Sequence, residues 1–472
     1  MNPAQQSLVD EVRSRFGERI ALTDAVDIEP WLTDWRGRWT GKAAAVLQPS
    51  STGEVAAIVE TAARLGVALV PQGGNTSMVG GATPSTDGAA LILSLRRMNR
   101  IRAIDPAAMR AEVEAGVILQ SLHEAVAAQG LRFPLTLGAR GSATVGGLVS
   151  TNAGGTQVLR FGPMRALVDG IEAVLPDGTI HDGLKGLQKD NRGYSIDQLL
   201  IGAEGTLGVV TAARLRLVPA VYSRAVAWLG LASPQAALDT LRAIEAETGR
   251  IEGFEILPEE SLKAVLTHIP GTRAPLESGH PWHVLVEATA SGPDDENPQE
   301  LLGRLLAPLI ERGLIADAAI SASEAQAEAF WRIRDSLSEA ERTAFGPAPP
   351  HDISVPVDAM PSFMIDAAAQ VETAFPGASA SGFGHLGDGN IHFHVRAGAR
   401  RTDDWLQCEG PAVTRFVHDL VTAAGGSISA EHGIGVMKRD ELERLSPERT
   451  KVLRAIKSSL DPDGIMNPGK LV

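Results

Sequence analysis

The sequence predicts an α+β protein of two domains. Three observations carry that expectation. Before about residue 220, short apolar runs alternate with helical spacing and with three glycine-rich loops. After it the glycine loops thin out, and strands and helices follow in the order expected of an antiparallel sheet covered by helices. The chain has 472 residues, more than one hydrophobic core commonly serves.

The first 20 residues, MNPAQQSLVDEVRSRFGERI, read as a polar amphipathic helix without the apolar stretch of a secretory signal. A cytoplasmic location is expected. No window approaches 18 continuous apolar residues, so no membrane span is expected. A short strand over 43–47 ends before Pro49. Ser51-Thr-Gly-Glu54 is a capping box. Val55, Ile58, Val59, Ala62 and Leu65 then recur at helical spacing, and Gly66 stops the helix. A strand over 67–70 completes a β-α-β unit that opens onto the first glycine loop. Strands follow over 91–95, 102–104 and 111–115, and a helix over 119–129 is stopped by Gly130. The stretch 137–155 carries little periodicity. A hairpin over 171–181 turns at Asp177-Gly178. A strand over 208–218 ends at Pro219, where the domain boundary is placed. Beyond it strands are expected over 225–231, 252–257, 283–288 and 391–395. Helices are expected over 234–248, 259–268, 325–337 and 447–460. The division is therefore 1–219, a domain of two subdomains; 220–460, a second domain; and 461–472, a tail returning to the first.

Charge and cysteine content exclude several function classes. There are 43 Lys+Arg against 57 Asp+Glu, a net charge of −14. That balance argues against nucleic acid and anionic lipid as partners. The single cysteine, Cys408, excludes intrachain disulfides, an iron–sulfur cluster and a thiolate zinc site.

The glycine loops are PQGGNTSMVGG at 71–81, GARGSATVGG at 138–147 running on to TNAGG at 151–155, and GAEGTLG at 202–208. Glycines let successive backbone N–H groups converge on phosphate oxygens. One such loop alone is as well read as a tight turn. Three of them suggest one large ligand touched by backbone at many points, and a dinucleotide fits. Gly382-Phe-Gly-His-Leu-Gly387 satisfies G-x-G-x-x-G literally. It runs into an alternating strand instead of opening a helix, so it is rejected as a nucleotide fingerprint.

That same segment holds His385, His392 and His394, three of 11 histidines. His392 and His394 are two apart on a strand and share a face. His385 lies across a Gly-Asp-Gly turn that can fold it back beside His392. Downstream, SAEHGIG brings Glu431 and His432 on another glycine-flanked loop. Two imidazoles and one carboxylate are an ordinary ligand set for zinc or another divalent ion. Arg334, beside Trp331 on an amphipathic segment, reads by itself as a solvated charge.

In order along the chain, PQGGNTSMVGG, GARGS, TNAGG, KDNRGY, GAEGTLGVVT, GFGHLGDGNIHFHV, SAEHGIG and DPDGIMNPGK resemble the FAD-dependent D-2-hydroxyacid dehydrogenases. The hydroxyglutarate enzymes are the most similar, over nearly the whole chain. The resemblance implies a vanillyl-alcohol-oxidase-type FAD domain of two α+β subdomains, with an α+β cap domain built on an antiparallel sheet. It implies that Gly73, Gly74, Asn75, Thr76 and Ser77 bind the FAD pyrophosphate. Pro134, Gly138, Ser142, Gly147, Asn152, Gly154, Glu204, Gly205, Val210 and Asn467 would complete the cofactor site. Asn75 stands where covalent members carry a histidine, which implies non-covalent FAD. The resemblance also implies a divalent metal, zinc first, on His385, His392 and Glu431. His432 would be the catalytic base, and Arg334, Ser338 and His394 would join it in binding substrate.

The implied reaction is metal-assisted hydride transfer from a D-2-hydroxyacid to flavin N5. D-2-hydroxyglutarate is the first substrate, and D-lactate or another D-2-hydroxy monocarboxylate the alternative. The implied electron acceptor is an electron-transfer flavoprotein, a cytochrome or a quinone, and a homodimer is compatible. Two departures stand out. Pro350 occupies the place of a lysine, and His394 replaces an asparagine. His351 and His394 are the candidates to replace the missing cation.

Overall fold

The computed structural model describes every residue except Gln188 and 399–403, and Pro350 only by its backbone. The chain forms two compact units. The first comprises Met1–Gly155, Phe161–Ala220 and Glu431–Val472; the second comprises Thr156–Arg160 and Val221–Ala430.

The first unit contains two principal sheets. One has four strands in the order Ala21–Leu22, Val46–Leu47, Ala90–Ser94 and Ala68–Gln72. The last three run parallel, and Ala90–Ser94 lies between the two strands of the expected β-α-β unit. The connecting helix Thr52–Leu65 starts where the Ser51 hydroxyl accepts from the Glu54 N–H, and it stops at Gly66 in the left-handed region, φ 64°. Its buried residues include Val55, Ile58, Val59 and Ala62, which pack on Leu69, Leu91 and Leu93. Residues 465–467 run beside Leu69, whose N–H donates to Ile465 O at 2.8 Å and whose carbonyl accepts from Asn467 N at 2.8 Å. The other sheet is antiparallel, in the order Ile101–Asp105, Arg110–Glu114, Val209–Arg216, Val168–Val174 and Ile180–Asp182. Its core holds Val113, Leu122, Val145, Val149, Ile171 and Leu215.

Two local differences from the sequence expectation have clear causes. The aperiodic stretch 137–155 contains the helix Val145–Thr151. Its sequence, VGGLVST, lacks a helical stripe because Gly146 must approach Ala115: a Cβ there would stand 2.6 Å from Ala115 Cβ and 3.1 Å from its Cα and O. The strand Ser379–His385 was also not expected, since SASGFGH is poor in β-branched residues.

The second unit is built on one antiparallel sheet of seven strands. Their order is Asp317–Ile320, Ser223–Leu231, Trp282–Ala290, Ile251–Pro258, Ser379–His385, Asn390–Arg396 and Pro350–Ser354. One face, with Ala227, Phe254, Val286, Ile391 and Phe393, packs on residues from helices Pro234–Glu245, Pro298–Glu311, Met360–Ala374 and Gly410–Ala423. The other face buries Trp228, Leu257, Leu285 and Phe383 with Leu262, Phe330, Ile333 and Ala340.

The expected boundaries shift at two places. Residues 431–460, assigned by sequence to the second domain, belong to the first unit. The helix Pro447–Leu460 packs Ile456 and Leu460 on a first-unit core, and Lys457 Nζ donates to Thr206 O and Met466 O, both at 2.7 Å. In the other direction, Thr156–Arg160 joins the second unit. There Arg160 Nη1 pairs with Glu252 Oε1 at 2.6 Å.

Candidate active site

In the first unit the strand Ala68–Gln72 delivers the chain into the first glycine loop, at the wall of a cavity of about 720 Å³. That volume is ordinary for a site that encloses an organic ligand. Gly73, Gly74, Asn75, Thr76, Ser77, Gly138, Ser142, Gly147, Gly154, Glu204, Gly205 and Val210 line it, as do Glu431 and His432. Pro134, Asn152 and Asn467 are not in the lining. Asn152 caps the helix Val145–Thr151 in the left-handed region, and its side-chain oxygen accepts from Arg165 N at 2.8 Å. Asn467 is buried and donates from Nδ2 to Gly81 O at 3.0 Å and Glu204 O at 2.7 Å. Both therefore brace segments of the wall.

The glycines of the first loop answer to close packing. A Cβ on Gly73 would lie 2.2 Å from Thr144 Oγ1, and one on Gly74 would lie 1.9 Å from Ser142 O. The first and second loops thus meet backbone to backbone. Arg96 Nε donates to Gly73 O at 3.1 Å, and its guanidinium lies 4.4 Å from the Trp31 ring centroid. That contact anchors a carbonyl of the first loop. Sequence reading missed Arg96, since an arginine after a strand carries no signal of its own.

The lining also carries buried polar atoms without a partner among the described residues: Gln72 Oε1, Asn75 Oδ1 and Thr144 Oγ1. Such atoms cost about 1–3 kcal/mol each unless a ligand or water satisfies them. Glycine-lined backbone, hydroxyls and unmet polar atoms together fit a large polar cofactor.

In the second unit a charged cluster lies on the sheet face that also carries Phe383. The helix Glu324–Asp335 supplies Arg334, and the strand Ile251–Pro258 supplies the buried Glu255. Arg334 Nε donates to Glu255 Oε2 at 2.8 Å. Glu255 Oε1 lies 2.6 Å from His385 Nδ1, and Arg334 Nη2 lies 3.2 Å from His385 Nε2. Burial opposes charge on Glu255, but Arg334 and His385 outweigh it and hold its pKa at about 2. As an acceptor, the carboxylate puts the His385 ring proton on Nδ1.

The hairpin does fold His385 back. Its ring centroid is 5.8 Å from that of His392, and His392 faces Phe383 across the strand pair. His394 shares that face opposite Ser381, and burial pushes its pKa below the usual imidazole value. Ser338 is exposed on the helix Leu337–Phe345.

Position 350 pairs with His394, whereas His351 pairs with Phe393. His351 therefore lies on the opposite face. Its Nδ1 is 3.0 Å from Phe393 O and its Nε2 3.2 Å from Thr414 Oγ1. It cannot stand in for a lysine at 350.

Among the described residues, no group of three His, Cys, Asp or Glu is arranged to hold a metal ion. His385 and His392 are neighbours in the second unit, and Glu431 belongs to the first.

Comparison with known proteins decides the family. A model of the FAD binding domain matches residues 43–183, and a model of the C-terminal domain of FAD linked oxidases matches residues 222–471. The chain belongs to the FAD-linked oxidases. Like other members it is an FAD-dependent oxidoreductase. It is 37% identical to a mitochondrial D-2-hydroxyglutarate dehydrogenase of Arabidopsis thaliana, over 100% of this chain and 83% of that one. It is 38% identical to the mitochondrial enzyme of the same name from Bos taurus, over 96% and 81%. It is 33% identical to a D-2-hydroxyglutarate–pyruvate transhydrogenase of Saccharomyces cerevisiae, over 93% and 88%.

Among solved structures it resembles p-cresol methylhydroxylase with a TM-score of 0.74 at 15% identity, covering 100% of this chain and 97% of that one. It resembles an alkyldihydroxyacetonephosphate synthase with a TM-score of 0.71 at 17% identity, covering 98% and 84%. At such identities the likeness concerns the fold, which is the expected vanillyl-alcohol-oxidase type.

Asn75 presents an amide to the cavity, with Nδ2 donating to Thr33 O at 2.8 Å. An amide cannot form the link that a histidine forms there. Acid precipitation is therefore expected to leave all the flavin in the supernatant. Flavin retained in the pellet would contradict that.

Proposed function

We propose that the protein oxidises a D-2-hydroxyacid to the 2-oxoacid, with D-2-hydroxyglutarate the first substrate to test. The observation that carries this reading is the Arg334–Glu255–His385 cluster, in the region matched by the FAD-linked oxidase C-terminal model. The names of the relatives support the same substrate class.

Bound FAD supplies the hydride acceptor. The chain does the rest. Glu255 fixes the plane of the Arg334 guanidinium through Nε, so its outer edge keeps one orientation toward the substrate carboxylate. His432, in the lining of the FAD cavity, takes the hydroxyl proton as the C2–H bond breaks. His394, kept neutral, contributes a hydrogen-bonding wall.

A divalent ion, zinc first, belongs to this proposal, on the expected ligands His385, His392 and Glu431. Metal analysis should find a stoichiometric ion, and chelation should remove activity. A metal-free, chelator-insensitive enzyme would eliminate that part alone.

Position 350 favours a second reading, D-2-hydroxy monocarboxylates. A second carboxylate near His394 would need a cation there, since an unpaired buried charge costs several kcal/mol. Proline brings none, and His351 faces away. Arg396, on the His394 face, is already engaged by Glu341 and Glu260 at 2.8–3.0 Å. Activity on D-lactate or longer D-2-hydroxyacids should therefore accompany any on D-2-hydroxyglutarate. A series of kcat/KM values decides between the readings. A preference for D-2-hydroxyglutarate above about 10³-fold, roughly 4 kcal/mol, would establish a second carboxylate pocket.

A further inference from the structure

We infer that Glu204 is a positioning residue that sets the loop carrying Glu431 and His432. The inference rests on His432 being the proton acceptor of the proposed reaction. It gives Glu204 a task different from the cofactor contact expected of it.

Glu204 lies in the third glycine loop, in the left-handed region at φ 52°, and is only 8% exposed. That backbone conformation is uncommon outside glycine and asparagine, and it persists where surrounding contacts impose it. Its own N–H donates to Ser150 O at 2.8 Å, and its carbonyl accepts from Asn467 Nδ2 at 2.7 Å. The side chain then reaches the 431–435 loop. Oε1 accepts from Ile434 N and Oε2 from Gly435 N, each at 2.8 Å.

Two successive amides on one carboxylate form an anion nest, and glycines at positive φ shape such a nest. Gly433 and Gly435 have φ of 79° and 51°. A Cβ on Gly433 would stand 2.8 Å from Glu204 Oε1. On its other side the loop is tied to the first glycine loop, where Val436 N donates to Val79 O at 3.0 Å. A Cβ on Gly435 would lie 2.3 Å from that oxygen. The C-terminal tail adds a third tie, Leu471 N to Gly435 O at 3.0 Å.

The loop is thus caught between two loops of the FAD cavity. His432 lies two residues before the first clamped amide, and both Glu431 and His432 line that cavity. Only a carboxylate serves both amides equally. A glutamine would turn its own N–H toward one of them. Burial raises the Glu204 pKa above the usual carboxylate value, against the two amide N–H groups and the charges of Lys438 and Lys470, the latter itself buried. Burial and Arg439 lower the Lys470 pKa to about 8 against the pull of Glu204 and Asp87.

The test uses the FAD-loaded enzyme with Glu204→Ala, Glu204→Gln and Gly433→Ala. Three quantities are read: hydrogen exchange of the Ile434 and Gly435 amides, flavin affinity, and kcat and KM for a D-2-hydroxyacid. Exchange should rise roughly ten- to hundredfold in Glu204→Ala, and less in Glu204→Gln. Gly433→Ala should act in the same direction. kcat should fall at least about tenfold, with KM and flavin affinity within about threefold of wild type.

Unchanged exchange in Glu204→Ala would overturn the inference. So would lost flavin affinity with exchange unchanged, which would make Glu204 a cofactor contact. Should Glu204→Ala not fold, the near-isosteric Glu204→Gln decides. If the wild type oxidised no hydroxyacid, the proposed function would fail, while the exchange data would still judge the clamp.

Discussion

Arg334→Met is expected to abolish hydroxyacid oxidation and to destabilise the second unit by about 3–5 kcal/mol. Glu255 is buried at 1% exposure, and Arg334 is its only fully charged partner in the cluster. Removing the guanidinium strands a carboxylate that burial already disfavours. The cost comes mainly from the stranded charge and less from the lost attraction. A second change, Arg334→Met with Glu255→Gln, should therefore recover much of the stability and none of the activity. Denaturant unfolding of the two variants checks the first point, and turnover checks the second. A single variant as stable as wild type would show that water reaches Glu255. One that keeps activity within tenfold would remove Arg334 from substrate binding.

Gly74→Ala is expected to weaken FAD binding by roughly ten- to hundredfold and to yield a largely colourless protein. The added Cβ would meet Ser142 O at 1.9 Å and Ser142 C at 2.8 Å, both backbone atoms. Backbone cannot rotate aside, so one of the two loops must shift. Overpacking of that kind costs about 1–3 kcal/mol. Gly53→Ala is the control: it lies in the helix Thr52–Leu65 with nothing within 4 Å of its Cβ, and flavin affinity should not change. Flavin titration of the two apoproteins makes the comparison. Equal affinities would mean that the loops do not close on the cofactor as described.

Some of this was legible in the sequence because composition and period report it directly. Glycine density exposed the three loops that wall the cavity, since few other residues permit such close approach. Alternation placed His392 and His394 on one face, and the Gly-Asp-Gly turn brought His385 back to them. Glu255 escaped because IEGFEILP reads as a buried strand in which one acid looks incidental. A fully buried acid demands a partner, and that demand was the available signal. The helix Val145–Thr151 was hidden by the small residues that let it approach Ala115. The return of the chain to the first unit at Glu431 lay inside a glycine-flanked loop, where no change of period marks a boundary. His351 was weighed as a replacement cation because sequence distance alone does not reveal a face. The register with Phe393 does.

The central claim is that this FAD enzyme takes hydride from D-2-hydroxyacids. Anaerobic mixing of the purified yellow protein with D- and L-2-hydroxyacids, followed by flavin absorbance, tests it most directly. The account predicts rapid bleaching by D-2-hydroxyglutarate or D-2-hydroxy monocarboxylates, and rates at least about a hundredfold lower with the L-acids, because the Arg334 clamp presents one face of C2. Flavin that stays oxidised with every D-2-hydroxyacid, or bleaches equally with both enantiomers, would contradict it.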